Sequence, residues 1–251
     1  GCAWGPRPVD LHLKGMEAMG IDIDLDKGYV IAKADKNLKK SSFKLEPSSV
    51  GATVNLLLAA VLRTEEFTIE NAAMEPDVVQ LCNVLVKMGA DISGIGTDRI
   101  TVRGVESLNG VEIANDPDRI EVGTFMIAGV LNPDSELTLE GCNVDHLGNL
   151  PELLSKTGAK VDVDGTTIKV KAPKELEAVS IATEVYPGFP TDMQAQWATM
   201  MTQANGVSTV TDTVYYDRFS YVPELTRLGA DMRLEKNTVT IFGKTDFEGA
   251  S

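Results

Sequence analysis

A glycine-centred tetrapeptide recurs four times, as Met19-Gly20-Ile21-Asp22, Met88-Gly89-Ala90-Asp91, Thr157-Gly158-Ala159-Lys160 and Leu228-Gly229-Ala230-Asp231, with the glycines 69, 69 and 71 residues apart. A fixed period constrains folding more than any single motif, because each unit must bury its apolar face against structure of the same kind. In every copy the glycine closes an apolar helical pattern and precedes an alternating one. Val78, Leu81, Cys82, Leu85 and Val86 follow the spacing of a helix with one buried face. Gly89 then stands where a helix C-terminus takes a left-handed residue. After Gly158, Val161 and Val163 alternate, Asp164-Gly165 predicts a tight hairpin turn, and Ile168 and Val170 resume the alternation.

A second series runs in phase with the first. Thr68-Ile69-Glu70-Asn71, Thr138-Leu139-Glu140-Gly141 and Thr209-Val210-Thr211-Asp212 read as short strands, 70 and 71 residues apart. Before them lie helical patterns at Val54, Leu57, Leu58 and Val61, and in the segments opening at Gly123 and Asp192. One unit therefore reads strand, helix, strand, helix, strand, strand. Three full units, at about 43–105, 111–172 and 178–243, follow the tail of an earlier one. The period is too long for an ankyrin-type or leucine-rich solenoid, and the mixture predicts an α/β (α+β) chain with helices layered on small sheets. Asn115-Asp116-Pro117-Asp118 is the polar, proline-containing break between units, so parts of two domains are expected at 1–115 and 116–251.

Composition narrows the function. Of 251 residues, 43% are hydrophobic, enough for a sizeable core. Asp and Glu number 37 against 23 Lys and Arg, a net charge of −14 that argues against nucleic acid as a partner. An anionic small molecule would need a local cluster of cations. The longest apolar runs, Leu56 to Leu62 and Phe125 to Leu131, are far short of a membrane span, so no membrane insertion is expected. Three cysteines, Cys2, Cys82 and Cys142, make no disulfide framework and fit a reducing cytoplasm. Two histidines, His12 and His146, are too few and scattered for a zinc site. No charged-then-apolar leader opens the chain, and no secretory signal is expected. The start at Gly1-Cys2 without methionine and the end at Gly249-Ala250-Ser251 lead to the expectation of a partial chain.

Four segments carry possible chemistry. Gly1-Cys2-Ala3-Trp4-Gly5-Pro6-Arg7-Pro8 reads as a loop, with Arg7 on a stiff Pro-flanked stem suited to a phosphate or carboxylate; an ordinary thiol beside a surface arginine is the plainer reading. Pro47-Ser48-Ser49-Val50-Gly51-Ala52-Thr53 opens a helix and exposes backbone N–H groups, either as an anion site or merely as a capped start. In Tyr186-Pro187-Gly188-Phe189-Pro190-Thr191-Asp192, Thr191 is expected to cap the next helix and Asp192 to lie in its first turn, as a dipole partner or as a base. Arg218, in Thr213-Val214-Tyr215-Tyr216-Asp217-Arg218, pairs by default with Asp217 or another surface acid; the functional reading turns it toward an anion.

Taken together these stretches resemble the UDP-N-acetylglucosamine 1-carboxyvinyltransferases (enolpyruvyl-UDP-GlcNAc synthases, MurA). The resemblance is carried by Gly1-Cys2-Ala3 with Arg7-Pro8-Val9-Asp10-Leu11-His12, Ser49-Val50-Gly51-Ala52-Thr53, Glu70-Asn71-Ala72-Ala73, Gly96-Thr97-Asp98-Arg99-Ile100, Asp118-Arg119-Ile120-Glu121 and Phe189-Pro190-Thr191-Asp192-Met193-Gln194-Ala195-Gln196, in family order across nearly the whole chain. It implies an inside-out α/β barrel of two three-unit domains. It also implies transfer of the enolpyruvyl group of phosphoenolpyruvate to the 3-hydroxyl of UDP-N-acetylglucosamine with release of phosphate, the committed step of peptidoglycan synthesis in the bacterial cytoplasm, with no metal or organic cofactor. By matching position, Cys2 is implied as the general acid that protonates the methylene carbon, Asp192 as the group taking the sugar hydroxyl's proton, and Arg218 as an arginine near the reacting centre. Arg7, Pro8, Val9, Asp10 and Leu11, Ser48, Ser49, Val50 and Gly51, and Val214 match UDP-sugar contacts.

Trp4, Pro47, Met74 and Tyr221 depart from residues common in the family, Pro47 replacing a nucleotide-contacting lysine of some members. The family's N-terminal Lys-Asn pair and arginine, and its C-terminal Thr-Asp-Leu-Arg motif and further arginine, have no counterpart in these 251 residues. Those cations stabilise a multiply charged transition state, so the polypeptide by itself is expected to be inactive or nearly so. Two other readings stand beside this one. Another enolpyruvyl transferase is opposed by Cys2 and the UDP-loop motifs; the other alternative is a non-catalytic UDP-sugar-binding or interaction module that keeps the repeats.

Overall fold

The computed structural model describes residues 8–34, 40–62, 65–133, 136–215 and 217–249. Cys2 and Arg7 lie outside the described residues. The chain divides into two compact units, residues 1–115 and 116–251.

The first unit opens with helix α1 (Asp10–Ala18) and the hairpin β1 (Asp22–Asp26) and β2 (Tyr29–Lys33). One complete repeat follows: β3 (Ser41–Lys44), α2 (Val50–Ala60), β4 (Glu66–Glu70), α3 (Pro76–Lys87), β5 (Asp91–Ser93) and β6 (Arg99–Arg103). Its sheet has the order β3-β4-β6-β5, with β3 parallel to β4 and the other pairs antiparallel. Leu45, Leu56, Leu57, Ile69 and Val102 are fully buried between this sheet and α2 and α3. Gly15 lets α1 approach α2, since a Cβ there would lie 2.6 Å from both Leu56 methyls.

The second unit contains two repeats. The earlier is α4 (Arg119–Val130), β7 (Glu136–Leu139), a 3₁₀ turn (Val144–Leu147), α5 (Leu150–Lys156), β8 (Lys160–Asp164) and β9 (Thr167–Lys171), with sheet order β7-β9-β8. The later is β10 (Ile181–Thr183), a 3₁₀ turn (Thr191–Met193), α6 (Gln194–Met201), β11 (Val207–Asp212), α7 (Tyr221–Arg227), β12 (Asp231–Glu235) and β13 (Thr238–Phe242), ordered β10-β11-β13-β12. Their helices share a core around Met126, Leu150, Phe189, Met193, Trp197 and Met200. No helix among the described residues is long and apolar enough to cross a membrane.

The repeated glycines do one job. Gly20, Gly89, Gly158 and Gly229 have φ of +92°, +107°, +91° and +105°, each just past a helix. After α3, Gly89 N–H donates to Val86 O and Ala90 N–H to Leu85 O, both at 2.9 Å, and the same pair recurs at Gly20 and Gly229. The left-handed residue folds the chain back so that the last carbonyls of the helix are satisfied, a conformation that costs any residue with a Cβ about 1–2 kcal/mol.

Three expectations are corrected. The repeat at 111–172 lacks its opening strand: residues 109–118 are all exposed, so Val111 and Ile113 have no face to bury, and Pro117 has no N–H for a ladder. Val86 is exposed and lies off the buried stripe of α3. The β8–β9 turn is Gly165-Thr166 rather than Asp164-Gly165, because Asp164 pairs with Thr167 inside the ladder and Gly165 takes the positive φ of +57°.

Gly148, at φ +56°, closes the 3₁₀ turn after β7, and a Cβ on it would fall 2.3 Å from the carbonyl oxygen of Pro187. Gly148→Ala is expected to lower the stability of the second unit by about 3 kcal/mol, from left-handed strain plus backbone displacement. Urea unfolding beside the parent protein measures this; a loss below about 0.5 kcal/mol contradicts it.

Candidate functional site

In the second unit β10 runs parallel to β11, with Thr183 opposite Asp212 at their C-terminal ends. The two outgoing loops therefore start side by side, at the strand ends where α/β sheets place ligands. One leads through Phe189 and Pro190 to the turn that carries Asp192; the other, residues 213–220, carries Val214 and Arg218. Arg218 Nη2 lies 2.8 Å from Asp192 Oδ1. The Arg218 side chain is 28% exposed and that of Asp192 47%, so the pair is anchored on one side and open to solvent on the other. Two candidates separated by 26 positions are thus in contact, with Asp192 as a carboxylate partner of Arg218. Gly123 of α4 makes room behind this turn: a Cβ there would meet Met193 Sδ at 2.3 Å.

Beneath the pair sits Asp212, fully buried. Its Oδ1 accepts hydrogen bonds from Thr183 Oγ1 (2.6 Å), Val214 N (2.9 Å) and Tyr215 N (2.8 Å). Its Oδ2 accepts from Thr191 Oγ1 (2.6 Å) and Gln194 Nε2 (2.5 Å). Burial pushes this carboxyl upward, but the bonds from Thr183, Thr191, Tyr215 and Val214 outweigh it and hold the group below its ordinary value. Thr191 is therefore not the helix cap that its position suggests. Its hydroxyl goes to Asp212, and neither the 3₁₀ turn nor α6 has a side-chain cap. Tyr221 OH donates to Gln194 Oε1 at 3.1 Å, which turns the amide so that its nitrogen faces Asp212. Burial raises the Tyr221 phenol well above its usual range, keeping it a donor.

In the first unit Pro8 and Val9 are exposed just ahead of α1, and Asp10 and Leu11 form its first turn. Asp10 has Lys14 as an ion-pair partner at 3.6 Å, both well exposed. Ser48 is half-buried, and Ser49 caps α2, its Oγ accepting from Ala52 N at 3.3 Å. Thr53 ties that turn down, donating to Ser49 O and accepting from Ala73 N at 3.0 Å. Val50 and Gly51 are exposed, and α2 has no acidic residue in its first turn to offset the helix dipole. His12 links the two helices: its Nδ1 lies 2.6 Å from Asn55 Nδ2, and a Cβ on Gly51 would lie 3.4 Å from its ring. The fold thus brings the start of α1 beside the start of α2.

Two groupings escaped the sequence reading. One is the Asp212 network, whose acid looked like the polar end of a strand. The other is a cleft of about 410 Å³ in the first unit, lined by Lys44, Glu46, Glu70, Asn71, Asp98 and Arg99. Two ion pairs lie within it, Lys44 with Glu46 and Arg99 with Glu70, the latter at 2.7 Å.

The sequence profile of the EPSP synthase (3-phosphoshikimate 1-carboxyvinyltransferase) family matches residues 1–251. A UDP-N-acetylglucosamine 1-carboxyvinyltransferase of Desulfosudis oleivorans is 46% identical over 250 residues, covering 100% of this chain and 60% of the relative. UDP-N-acetylglucosamine 1-carboxyvinyltransferase 1 of Staphylococcus aureus is 44% identical, covering 100% and 59%. The chain thus spans about 60% of the length of these curated relatives. Among solved structures, the enolpyruvyl transferase NikO from Streptomyces tendae superposes with a TM-score of 0.86 at 25% identity, over 98% of this chain and 60% of that one. An EPSP synthase from Acinetobacter baumannii superposes at 0.70 and 20% identity, over 98% and 58%, a likeness of fold.

Proposed function

The chain belongs to the EPSP synthase family, and within it we propose that it serves a UDP-N-acetylglucosamine 1-carboxyvinyltransferase, moving the enolpyruvyl group of phosphoenolpyruvate to the sugar's 3-hydroxyl and releasing phosphate. The observation that carries this reading is the identity of 44–46%, along the whole chain, to proteins of that name. The activity is proposed for an enzyme of the relatives' full length, working in the bacterial cytoplasm.

The family pattern assigns roles as follows. Asp192 accepts the proton of the 3-hydroxyl as its oxygen bonds to C2 of phosphoenolpyruvate, while Cys2 donates a proton to C3. The resulting tetrahedral adduct then loses a proton from C3 and expels phosphate, which restores the double bond. Arg218, held on Asp192 Oδ1, supplies positive charge where the anionic adduct develops. Arg7, Pro8, Val9, Asp10 and Leu11, Ser48, Ser49, Val50 and Gly51, and Val214 are each assigned as sugar-nucleotide contacts by their place in the family pattern. The start of α2 at Val50 supports that assignment, because its first turn holds no acidic residue and the N–H groups at a helix N-terminus favour an anion. No particular observation favours the binding-module alternative.

The test is phosphate release by the full-length enzyme with UDP-N-acetylglucosamine, and with shikimate 3-phosphate as the competing acceptor. Turnover of the second alone overturns the proposal. A covalent readout accompanies it: the epoxide fosfomycin is expected to alkylate Cys2 and to spare Cys82 and Cys142. Both are buried, and burial raises both thiols, Cys82 to about 11, so at neutral pH almost none of it is the reactive thiolate. Peptide mass spectrometry after labelling decides; equal modification of all three argues against the assignment.

A further inference from the structure

Asp212 is a charged group that the proposed chemistry does not use, and it lies fully buried directly under that chemistry. Its five donors are all neutral: two threonine hydroxyls, one amide and two backbone N–H groups. That number selects the residue type. An ionised carboxylate only accepts and has room for about four or five donors, whereas an Asn in its place would aim an NH₂ group at two of them.

The donors also come from the segments that must be kept in register. Thr183 ends β10, and its hydroxyl additionally accepts from Thr213 N at 3.1 Å. Thr191 immediately precedes Asp192, and Gln194 begins α6. Val214 and Tyr215 start the loop that delivers Arg218. Thr191 and Val214 are thus bonded to opposite oxygens of one carboxylate.

We propose that Asp212 is the positioning residue of this site, its buried carboxylate fixing the Asp192 turn and the Val214 loop against the ends of β10 and β11. The consequence for Arg218 follows from chain length: it lies only three positions beyond the Tyr215 N–H held by Asp212, so a loose loop also loosens the 2.8 Å contact with Asp192. Tyr221 belongs to the same device. By donating to Gln194 Oε1 it leaves only the amide nitrogen for Asp212. The kinetic consequences rest on the enolpyruvyl-transfer reading; the ordering of the loop does not.

The experiment compares Asp212→Asn, Thr191→Val and Thr157→Val in the full-length enzyme. Thr157 is a control that also loses one buried hydroxyl, bonded to Leu154 O far along the chain from the site. Thr191→Val is expected to reduce kcat about tenfold with KM for UDP-N-acetylglucosamine within threefold, because it frees only the Asp192 turn. Asp212→Asn is expected to reduce kcat further and to raise that KM severalfold, because Val214 is released as well. Thr157→Val leaves both unchanged.

The second measurement is amide hydrogen exchange, which needs no turnover. Val214 and Tyr215 are expected to lose at least tenfold protection in Asp212→Asn, while Val239 and Ile241 of β13 keep theirs. If Asp212→Asn does not fold, Thr191→Val decides by its kcat-against-KM split. An active parent whose Thr191→Val and Asp212→Asn forms stay within threefold in kcat overturns the positioning role, as does unchanged protection at Val214 and Tyr215. A parent that turns over no UDP-N-acetylglucosamine overturns the proposed function instead, and the exchange result then judges the network alone.

Discussion

Asp192→Asn in the full-length enzyme is expected to lower kcat for UDP-N-acetylglucosamine by about 10²–10⁴, the usual contribution of a positioned general base. The substitution keeps the size and shape of the side chain, and an amide oxygen can still accept from Arg218 Nη2 where Oδ1 now lies at 2.8 Å. What it removes is the ability to take a proton. KM for the sugar nucleotide should therefore move much less than kcat, which distinguishes lost chemistry from lost binding. Asp192→Glu keeps the base but shifts it by about one bond length, enough to break alignment and recover only part of the rate. Steady-state phosphate release under saturating phosphoenolpyruvate measures all three enzymes. An Asp192→Asn enzyme retaining more than a tenth of parental kcat would mean that another group takes the proton.

The ion pair explains why this acid can be at once exposed and fixed. A surface pair gains little stability, about 0–1 kcal/mol, because two mobile side chains must be ordered in water. Here much of that ordering cost is already met by other contacts. Thr191, the preceding residue, is held by Asp212, and Met193, the following one, is buried in the core. The Arg218 loop starts from the same carboxylate. The Asp192–Arg218 contact is thus the visible end of a construction fixed from below, and its worth lies in geometry more than in energy.

This division also marks what the sequence could convey. The four glycines and the β8–β9 hairpin carry their own physics: a left-handed cap ends a helix wherever it occurs, and the segments around Val161 and Ile168 are each other's strand partners across a short turn. The Ser49 cap was legible for the same local reason. The missing strand before α4 was not, because a strand depends on a partner and a face to bury, and residues 111–114 have neither among the described residues. Asp212 was invisible for a deeper reason. Its donors, Thr183, Thr191, Gln194, Val214 and Tyr215, are spread over 33 positions, and the pairing of β10 with β11 is what gathers them. Thr191 beside a helix start has the signature of a cap, and only the tertiary competitor, a charged acceptor at 2.6 Å, reassigns its hydroxyl. Cys2, Arg7 and their loop lie outside the described residues, so their roles stand on the family pattern alone.

The largest stability effect is expected from Trp197→Ala. Trp197 is fully buried on α6, its ring edge-on to Phe189 at 5.3 Å between centroids and 73° between planes. Its indole N–H donates to Val179 O at 3.2 Å. Truncation opens a large cavity in the core shared by both repeats of the second unit, for about 3–5 kcal/mol, and strands the Val179 carbonyl for about 1 kcal/mol more. Against a typical domain stability of about 5–15 kcal/mol, such a loss leaves the unit close to unfolding at 37 °C. Trp197→Phe refills most of the space but not the hydrogen bond, and should cost about 1.5–2.5 kcal/mol. Val163→Ala, on an exposed strand position of β8, should stay within about 0.5 kcal/mol. Urea midpoints for the three proteins test this order. The effect also reaches the site. Phe189, which the indole supports, leads through Pro190 directly to Thr191 and Asp192, and Phe189 O receives Glu184 N–H at 2.9 Å to close that loop. A Trp197→Ala enzyme assayed well below its unfolding temperature should therefore lose kcat in excess of its unfolded fraction, whereas Val163→Ala should not. Equal specific activity per folded molecule in the two would show that the core beneath Asp192 holds the turn without need of the indole.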